Sequence, residues 1–127
     1  MGRKSLLVVD DSATFRQLLC MSLTRLEGIS ASDITQACDG ADALKKMQAR
    51  EFDLVLTDVM MPNLNGLELV LRVRSELQNQ KVPIVIISTK GEEAFVEQGM
   101  KNGANCYLLK PISLPRLREV VTGLLAM

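Results

Sequence analysis

The chain contains no histidine, and this absence excludes several kinds of chemistry at once. Ser-His-Asp and Cys-His nucleophile pairs, HExxH zinc sites and a histidine general base all need an imidazole. The three cysteines, Cys20, Cys38 and Cys106, are odd in number and form no CxxC pair. We therefore expect buried thiols in a reducing cytoplasm, and chemistry that relies on carboxylates, lysine, hydroxyls or thiols.

The chain also lacks an excess of charge and a long apolar run. Fifteen Lys and Arg residues balance fifteen Asp and Glu residues, so no overall field attracts nucleic acid or anionic lipid. Only the four apolar residues 6–9 precede Asp10, which is too few for a signal-peptide core. The sequence predicts a cytoplasmic protein with no direct nucleic-acid partner and no membrane insertion.

The length of 127 residues and the 47% hydrophobic content predict one globular domain over residues 1–127. A chain of this size buries enough surface to form a core without disulfides or a structural metal.

Short apolar runs alternate with helical patterns along the chain. Runs of this length, rich in Val and Ile, are typical of strands buried on both faces of a parallel sheet. They span residues 6–9, 54–56, 84–87 and 107–109, with a weaker candidate at 34–37. The alternation predicts an α/β fold, a doubly wound five-stranded parallel sheet with helices on both faces and a ligand site beyond the carboxyl ends of the strands.

Helix signals fill the segments between the predicted strands. Leu18, Leu26 and Leu71 belong to apolar patterns with helical spacing, so we expect them to face the sheet. Two further helices, near residues 41–50 and 92–102, have a weaker pattern. Ser12 and Ser113 are candidate N-caps, and Gly103 directly follows a predicted helix.

Polar residues follow four of the predicted strands. Asp10 and Asp11 follow the first, Asp58 the third, Ser88 the fourth and Lys110 the fifth. Crowded carboxylates repel one another unless cations neutralise them. Hard oxygen ligands without imidazole or thiolate favour Mg²⁺, with Mn²⁺ as a plausible substitute.

A hard dication, a lysine and a hydroxyl around one aspartate suit phosphoryl transfer, in which positioning and charge neutralisation provide most of the catalysis. Asp58 is the candidate nucleophile and would become an aspartyl phosphate.

The motifs that carry these residues resemble the receiver domain of two-component response regulators, especially the single-domain chemotaxis type. The resemblance covers essentially the whole chain and implies the flavodoxin-like (βα)5 receiver fold with strand order 2-1-3-4-5. The matching segments are Val8-Val9-Asp10-Asp11-Ser12, Thr57-Asp58-Val59-Met60-Met61-Pro62 followed by Gly66, Ile87-Ser88-Thr89, and Tyr107-Leu108-Leu109-Lys110-Pro111.

The resemblance implies that Asp58 accepts a phosphoryl group from a sensor histidine kinase or a histidine phosphotransfer protein. Asp11, Asp58 and the main-chain carbonyl of Met60 would bind Mg²⁺ directly, and Asp10 would act through metal-bound water. Lys110 would pair with Asp58 and then with a phosphoryl oxygen, and its bond to the following proline, Pro111, would be cis.

The family likeness also implies a switch. The Ser88 hydroxyl would bind another phosphoryl oxygen, and Tyr107 would turn inward as Ser88 moves. A downstream output protein would recognise the altered surface of the last two helices and the fifth strand. The domain would be a monomer or a phosphorylation-dependent dimer, and it would catalyse its own phosphorylation and dephosphorylation without being an enzyme for another substrate.

Two positions depart from the best-known chemotaxis pattern: Met60 is not polar, and Lys90 is not acidic. These positions flank the path of the attacking water in the family, so we expect slower self-hydrolysis of the phosphorylated state.

Three other interpretations of the function remain. A phosphate-independent receiver-like interaction module would have the same fold. A Mg-dependent aspartate-nucleophile phosphatase would usually have an acid where Met60 stands. A flavodoxin-like electron carrier would need a phosphate loop after the first strand.

Overall fold

The structure is a computed structural model that describes residues 4–125. Within this range five β-strands alternate with five α-helices, and one short 3-10 helix (Ala31–Asp33) precedes the second strand. The elements are β1 (Leu6–Val9), α1 (Ala13–Thr24), β2 (Ile34–Ala37), α2 (Gly40–Ala49), β3 (Leu54–Thr57), α3 (Gly66–Ser75), β4 (Ile84–Ser88), α4 (Glu93–Asn102), β5 (Cys106–Leu109) and α5 (Leu114–Leu125).

The strands form one parallel sheet in the order β2-β1-β3-β4-β5. The α/β class and the strand order that the family resemblance implied are therefore confirmed. All five predicted strands exist, and β3, β4 and β5 are each one residue longer than the apolar runs. Val9 lies beside Ala37 on one side and Thr57 on the other, so β1, β2 and β3 end at the same level of the sheet.

Two apolar clusters cover the opposite faces of the sheet. Leu6 and Val8 of β1 belong to one cluster, which contains residues of α1 and α5. Leu7 and Val9 belong to the other, which contains residues of α2 and α3. Successive side chains of a strand point to opposite faces, so β1 contributes to both. Full burial of one such aliphatic side chain contributes about 1.5–3 kcal/mol to the stability of the folded domain.

The predicted helix ends are present. The Ser12 hydroxyl accepts a hydrogen bond from the main-chain N–H of Phe15 at the start of α1. The Ser113 hydroxyl likewise accepts a hydrogen bond from the main-chain N–H of Arg116 at the start of α5. Gly103 ends α4 with a φ of 118°, a left-handed conformation that glycine adopts without steric penalty.

Two leucines that the helical patterns placed toward the sheet are instead exposed. Leu18 is 55% exposed and Leu71 is 44% exposed, so these predictions were wrong. Neighbouring residues on a helix point about 100° apart, and the adjacent Leu19 and Val70 take the buried positions. Leu26 is buried as expected, but it lies beyond the end of α1 at Thr24.

The expectation of buried thiols was wrong for Cys38, which is exposed directly after the edge strand β2. Cys20 and Cys106 are partly buried, and all three cysteines are free. No helix within residues 4–125 has both the length and the apolar character needed to cross a membrane.

Candidate functional site

Three carboxylates meet at the carboxyl edge of the sheet. Val9 and Thr57 are register partners in the adjacent strands β1 and β3, so the residues that follow them emerge side by side. One carboxylate oxygen from each of Asp10, Asp11 and Asp58 lies within 4.8 Å of the others. Asp10 is buried, Asp11 is exposed, and Asp58 is partly buried.

Lys110, which follows the edge strand β5, brings a positive charge to this cluster. Its Nζ atom lies 3.1 Å from Oδ2 of Asp10 and 3.3 Å from Oδ2 of Asp58. The main-chain N–H of Lys110 donates to the carbonyl of Ser88, 2.9 Å away, which anchors the end of β5 to β4. The peptide bond from Lys110 to Pro111 is cis. The structure therefore brings one ammonium against two of the three predicted carboxylates.

Asp10 is the most enclosed of these acids, with 1% of its surface exposed. Burial raises the pKa of the Asp10 carboxyl above its usual value, and the nearby charge of Asp58 adds to this effect. The main-chain N–H of Ser12, 2.8 Å from Oδ1, and the Lys110 ammonium favour the ionised form and partly offset it. One lysine against three carboxylates leaves an excess of negative charge in the cluster.

The loop between β3 and α3 holds Asp58 by main-chain contacts. The Asp58 N–H donates to the carbonyl of Val9 at 3.0 Å, and the Val59 N–H donates to Oδ1 of Asp58 at 2.7 Å. The Gly66 N–H then donates to the Val59 carbonyl at 2.8 Å. A Cβ atom on Gly66 would lie 1.8 Å from the main-chain oxygen of Asp58. Only glycine allows this close approach.

Ser88 and Tyr107 contact the same residue, Lys90. Ser88 is a buried residue, with 1% of its surface exposed. Its hydroxyl accepts a hydrogen bond from the Lys90 main-chain N–H at 3.0 Å. The Tyr107 hydroxyl donates to the Lys90 carbonyl at 2.5 Å. Burial raises the pKa of Tyr107, while its contact with Ser88 lowers it in part. The two predicted switch residues are therefore connected through one loop residue.

Met60 lies two residues beyond Asp58 in the β3–α3 loop and is 53% exposed. Its thioether side chain offers no strong hydrogen-bonding group to this edge of the site. The predicted role of the Met60 carbonyl as a metal ligand stays a prediction.

Two residues of α1 reach the site although the motifs did not assign them to it. The Arg16 guanidinium donates to the main-chain oxygen of Asp10 at 2.5 Å and to Oε1 of Gln36 at 3.0 Å. The ring centroid of Phe15 lies 3.8 Å from Nζ of Lys110. The Phe15 ring also packs partly against the core cluster that contains residues of α1 and α5. Its position in the first turn after two aspartates was the available signal for a role in the site.

A family model described as the response regulator receiver domain matches residues 6–122. The chain belongs to the response regulator receiver family. The receiver domain is 39% identical over 115 residues to the chemotaxis protein CheY1 of Helicobacter pylori, covering 90% of each chain. It is 40% identical over 116 residues to the transcriptional regulatory protein ResD of Bacillus subtilis, covering 91% of this chain and 44% of that protein.

A solved structure of the chemotaxis protein CheY4 of Vibrio cholerae superimposes on the receiver domain with a TM-score of 0.85 and 30% sequence identity, covering 97% of this chain and 99% of that one. The predicted family, the fold and the signalling class are confirmed by these likenesses. Receiver domains of this kind act in two-component phosphorelay signalling and interact with histidine kinases and downstream effectors. The extent of a single domain over residues 1–127 stays a prediction, since the family match covers residues 6–122.

Proposed function

We propose that the receiver domain accepts a phosphoryl group on Asp58 from the phosphohistidine of a sensor histidine kinase or a histidine phosphotransfer protein. The observation that carries this proposal is the position of the Lys110 ammonium, 3.3 Å from Oδ2 of Asp58, beside a cluster of three carboxylates. The Asp58 carboxylate is the nucleophile, and the neighbouring ammonium can bind the incoming phosphoryl oxygens.

The donor set fits a hard divalent cation, because it consists of carboxylate oxygens that one lysine does not neutralise. Asp11, Asp58 and the Met60 carbonyl would hold Mg²⁺, or Mn²⁺ in its place, and Asp10 would contribute through bound water. When bound, the ion would neutralise negative charge on the phosphoryl oxygens.

In the transfer, a carboxylate oxygen of Asp58 forms a new bond to phosphorus. The P–N bond to the donor histidine breaks, and its electron pair stays on the imidazole nitrogen. The histidine comes from the partner protein, since this chain has none. The chain promotes the reaction with its own residues, and the same residues promote the later attack of water that removes the phosphoryl group.

Lys110 and Ser88 stabilise the product in this proposal. The Lys110 ammonium moves from the Asp58 carboxylate to a phosphoryl oxygen, while its contact with Asp10 remains. The Ser88 oxygen accepts a hydrogen bond from the Lys90 main-chain N–H, and its O–H would turn from the Tyr107 hydroxyl to donate to a second phosphoryl oxygen.

Movement of Ser88 toward the phosphoryl group would disturb Lys90 and therefore Tyr107, because both residues contact Lys90. This couples the site to the surface formed by α4, β5 and α5, where Leu109 is 53% exposed and Met100 is 43% exposed. A downstream output protein would bind this surface, and the phosphorylated form would act as a monomer or a dimer. Exchange with a kinase would take place in the cytoplasm.

Intact-mass spectrometry after incubation with Mg²⁺ and acetyl phosphate tests the proposal. We expect one added phosphoryl group, lost in Asp58→Asn and in the presence of EDTA. Addition that persists in Asp58→Asn would place the phosphoryl group on another residue. No addition from acetyl phosphate or from several histidine kinases would favour the phosphate-independent interaction module.

A further inference from the structure

The Lys110 ammonium has an aromatic partner as well as two acidic ones. Its Nζ atom lies 3.8 Å from the ring centroid of Phe15, well inside the range of about 6 Å over which a cation is attracted to an aromatic face. The Lys110 side chain is only 16% exposed, so solvent competes weakly for this contact.

We propose that Phe15 is a positioning residue that holds the Lys110 ammonium against Asp10 and Asp58. The inference rests on the proposed function for its effect on phosphoryl transfer, but the contact itself can be measured without any phosphodonor. Phe15 does not touch the reacting atoms in this role, since it acts through Lys110.

A closed circuit of contacts fixes the ring relative to the ammonium. Oδ1 of Asp10 accepts a hydrogen bond from the Ser12 N–H at 2.8 Å, and the Ser12 hydroxyl accepts one from the Phe15 N–H at 3.2 Å. The Phe15 ring faces Nζ of Lys110, which donates to Oδ2 of Asp10 at 3.1 Å. The same aspartate therefore orients both the ring and the ammonium.

Phosphoryl transfer explains why a third partner is useful. Lysine has a flexible four-carbon stem and a compact charge, so it needs several contacts to stay in one place. The contact with the Asp58 carboxylate must change when that group becomes a phosphoryl ester. The Phe15 ring is chemically unchanged throughout the reaction. It therefore holds the Lys110 ammonium in place while Asp58 changes from a carboxylate to an acyl phosphate.

A second cation–ring pair elsewhere in the molecule provides a matched control. The Arg50 guanidinium lies 4.9 Å from the ring centroid of Phe52. Phe52 lies two residues before β3 begins at Leu54, whereas Asp58 follows the other end of that strand. Phe52→Leu therefore removes a buried ring and a cation contact at the opposite edge of the sheet.

NMR of the ε-methylene group of Lys110 tests the contact directly, with the signal identified by its loss in Lys110→Gln. Protons over an aromatic face are shifted upfield, so we expect an upfield Lys110 signal in the wild type and in Phe15→Tyr. The shift should disappear in Phe15→Leu and Phe15→Met, and it should be unchanged in Phe52→Leu. An unchanged Lys110 signal in both Phe15→Leu and Phe15→Met would overturn the inference.

Phosphorylation rates with acetyl phosphate and Mg²⁺ test the consequence. Loss of a cation–π contact corresponds to a rate about three- to tenfold lower in Phe15→Leu, with Phe15→Tyr close to wild type. Phe52→Leu should keep the wild-type rate, and melting curves identify any variant that has not folded. Wild-type rates in both Phe15→Leu and Phe15→Met would overturn the positioning role even if the NMR signal moved.

The two readouts separate this inference from the proposed function. A wild-type chain that takes no phosphoryl group, yet keeps the ring-dependent Lys110 signal, would overturn the proposed function and support the contact. A chain that is phosphorylated at the same rate with or without the ring would retain the proposed function and overturn the inference.

Discussion

The hydroxyl of Tyr107 donates a hydrogen bond to the main-chain carbonyl of Lys90, 2.5 Å away. The ring packs partly against the second core cluster, next to α4. A Cβ atom on Gly99 of α4 would lie 3.3 Å from this ring and 2.8 Å from a methyl group of Ile86. The absence of a side chain at Gly99 therefore leaves space for the ring.

Tyr107→Phe should lower the free energy of unfolding by about 1 kcal/mol at neutral pH, because it removes a partly buried hydrogen bond and keeps the ring. The folded-state pKa of Tyr107 is raised above its usual 10.0, so the folded chain holds this proton more tightly than the unfolded chain. The advantage of the wild type should shrink as the pH rises from 10.0 through the folded pKa. Urea unfolding at neutral and alkaline pH checks both statements. A difference that grows with pH would contradict the proposed burial of the hydroxyl.

Gly66→Ala should destabilise the domain by at least about 2 kcal/mol, since the added Cβ would collide with the main-chain oxygen of Asp58. Gly123→Ala is the matched control, because nothing lies within 4 Å of its Cβ position in α5. That variant should gain about 0.5–1 kcal/mol from reduced flexibility of the helix. Urea unfolding of both variants measures the contrast. Equal stability of the two variants would show that the β3–α3 loop adapts freely.

Asp39→Ala should lower the free energy of unfolding by about 1 kcal/mol at pH 7, because Asp39 caps the N-terminus of α2. Hydrogen bonds from the Asp42 N–H and the Asn63 side chain hold the pKa of Asp39 below its usual 3.8. This stabilisation is present above pH 3.8 and is lost as the pH falls through the lower folded pKa.

Denaturation curves from pH 7 to pH 2 check the Asp39 prediction. The gap between wild type and Asp39→Ala should narrow in acid, because the neutral carboxyl is a weaker cap than the carboxylate. Asp39→Asn, which keeps a capping oxygen without this titration, should lie near the wild type in acid. A gap that is constant with pH would contradict the assignment to the ionised carboxylate.

Asp58→Asn should raise the melting temperature in EDTA, because the charge of Asp58 contributes to the raised pKa of buried Asp10. Lys110 keeps its contact with Asp10 in this variant, so the expected gain is roughly 1 kcal/mol. Millimolar Mg²⁺ should reverse the order by stabilising the wild type more. Thermal unfolding with and without Mg²⁺ measures both effects. A lower melting temperature of Asp58→Asn in EDTA would refute the repulsion.

Met60→Asn should shorten the lifetime of the phosphorylated state, because an amide can orient the attacking water and a thioether cannot. We expect loss of the phosphoryl group about fivefold to tenfold faster, which corresponds to about 1 kcal/mol of transition-state stabilisation. Met60→Leu, which stays apolar, is the control. Intact-mass measurements after removal of the donor follow the decay. Rapid decay that is the same in wild type and Met60→Asn would rule out this explanation.

The alternation of strands and helices, the capping residues and the chemistry of the strand ends could be predicted from the sequence. These features depend on residues that are close together in the chain, such as the apolar run of β1 or the Ser12 hydroxyl three residues before the N–H that it caps. The strand order came with the family resemblance, and the structure agrees with it.

Only the tertiary structure decided which residues meet and which are buried. Asp10 and Asp11 are adjacent and chemically identical, yet the packing of β1 buries the first and exposes the second. Leu18 and Leu19 are both apolar, but only Leu19 is buried. Lys110 contacts Asp10 although the two residues are 100 positions apart in the sequence. Lys110, which follows β5, also contacts the ring of Phe15 in α1. Such contacts depend on how separate elements pack, and no local pattern encodes that.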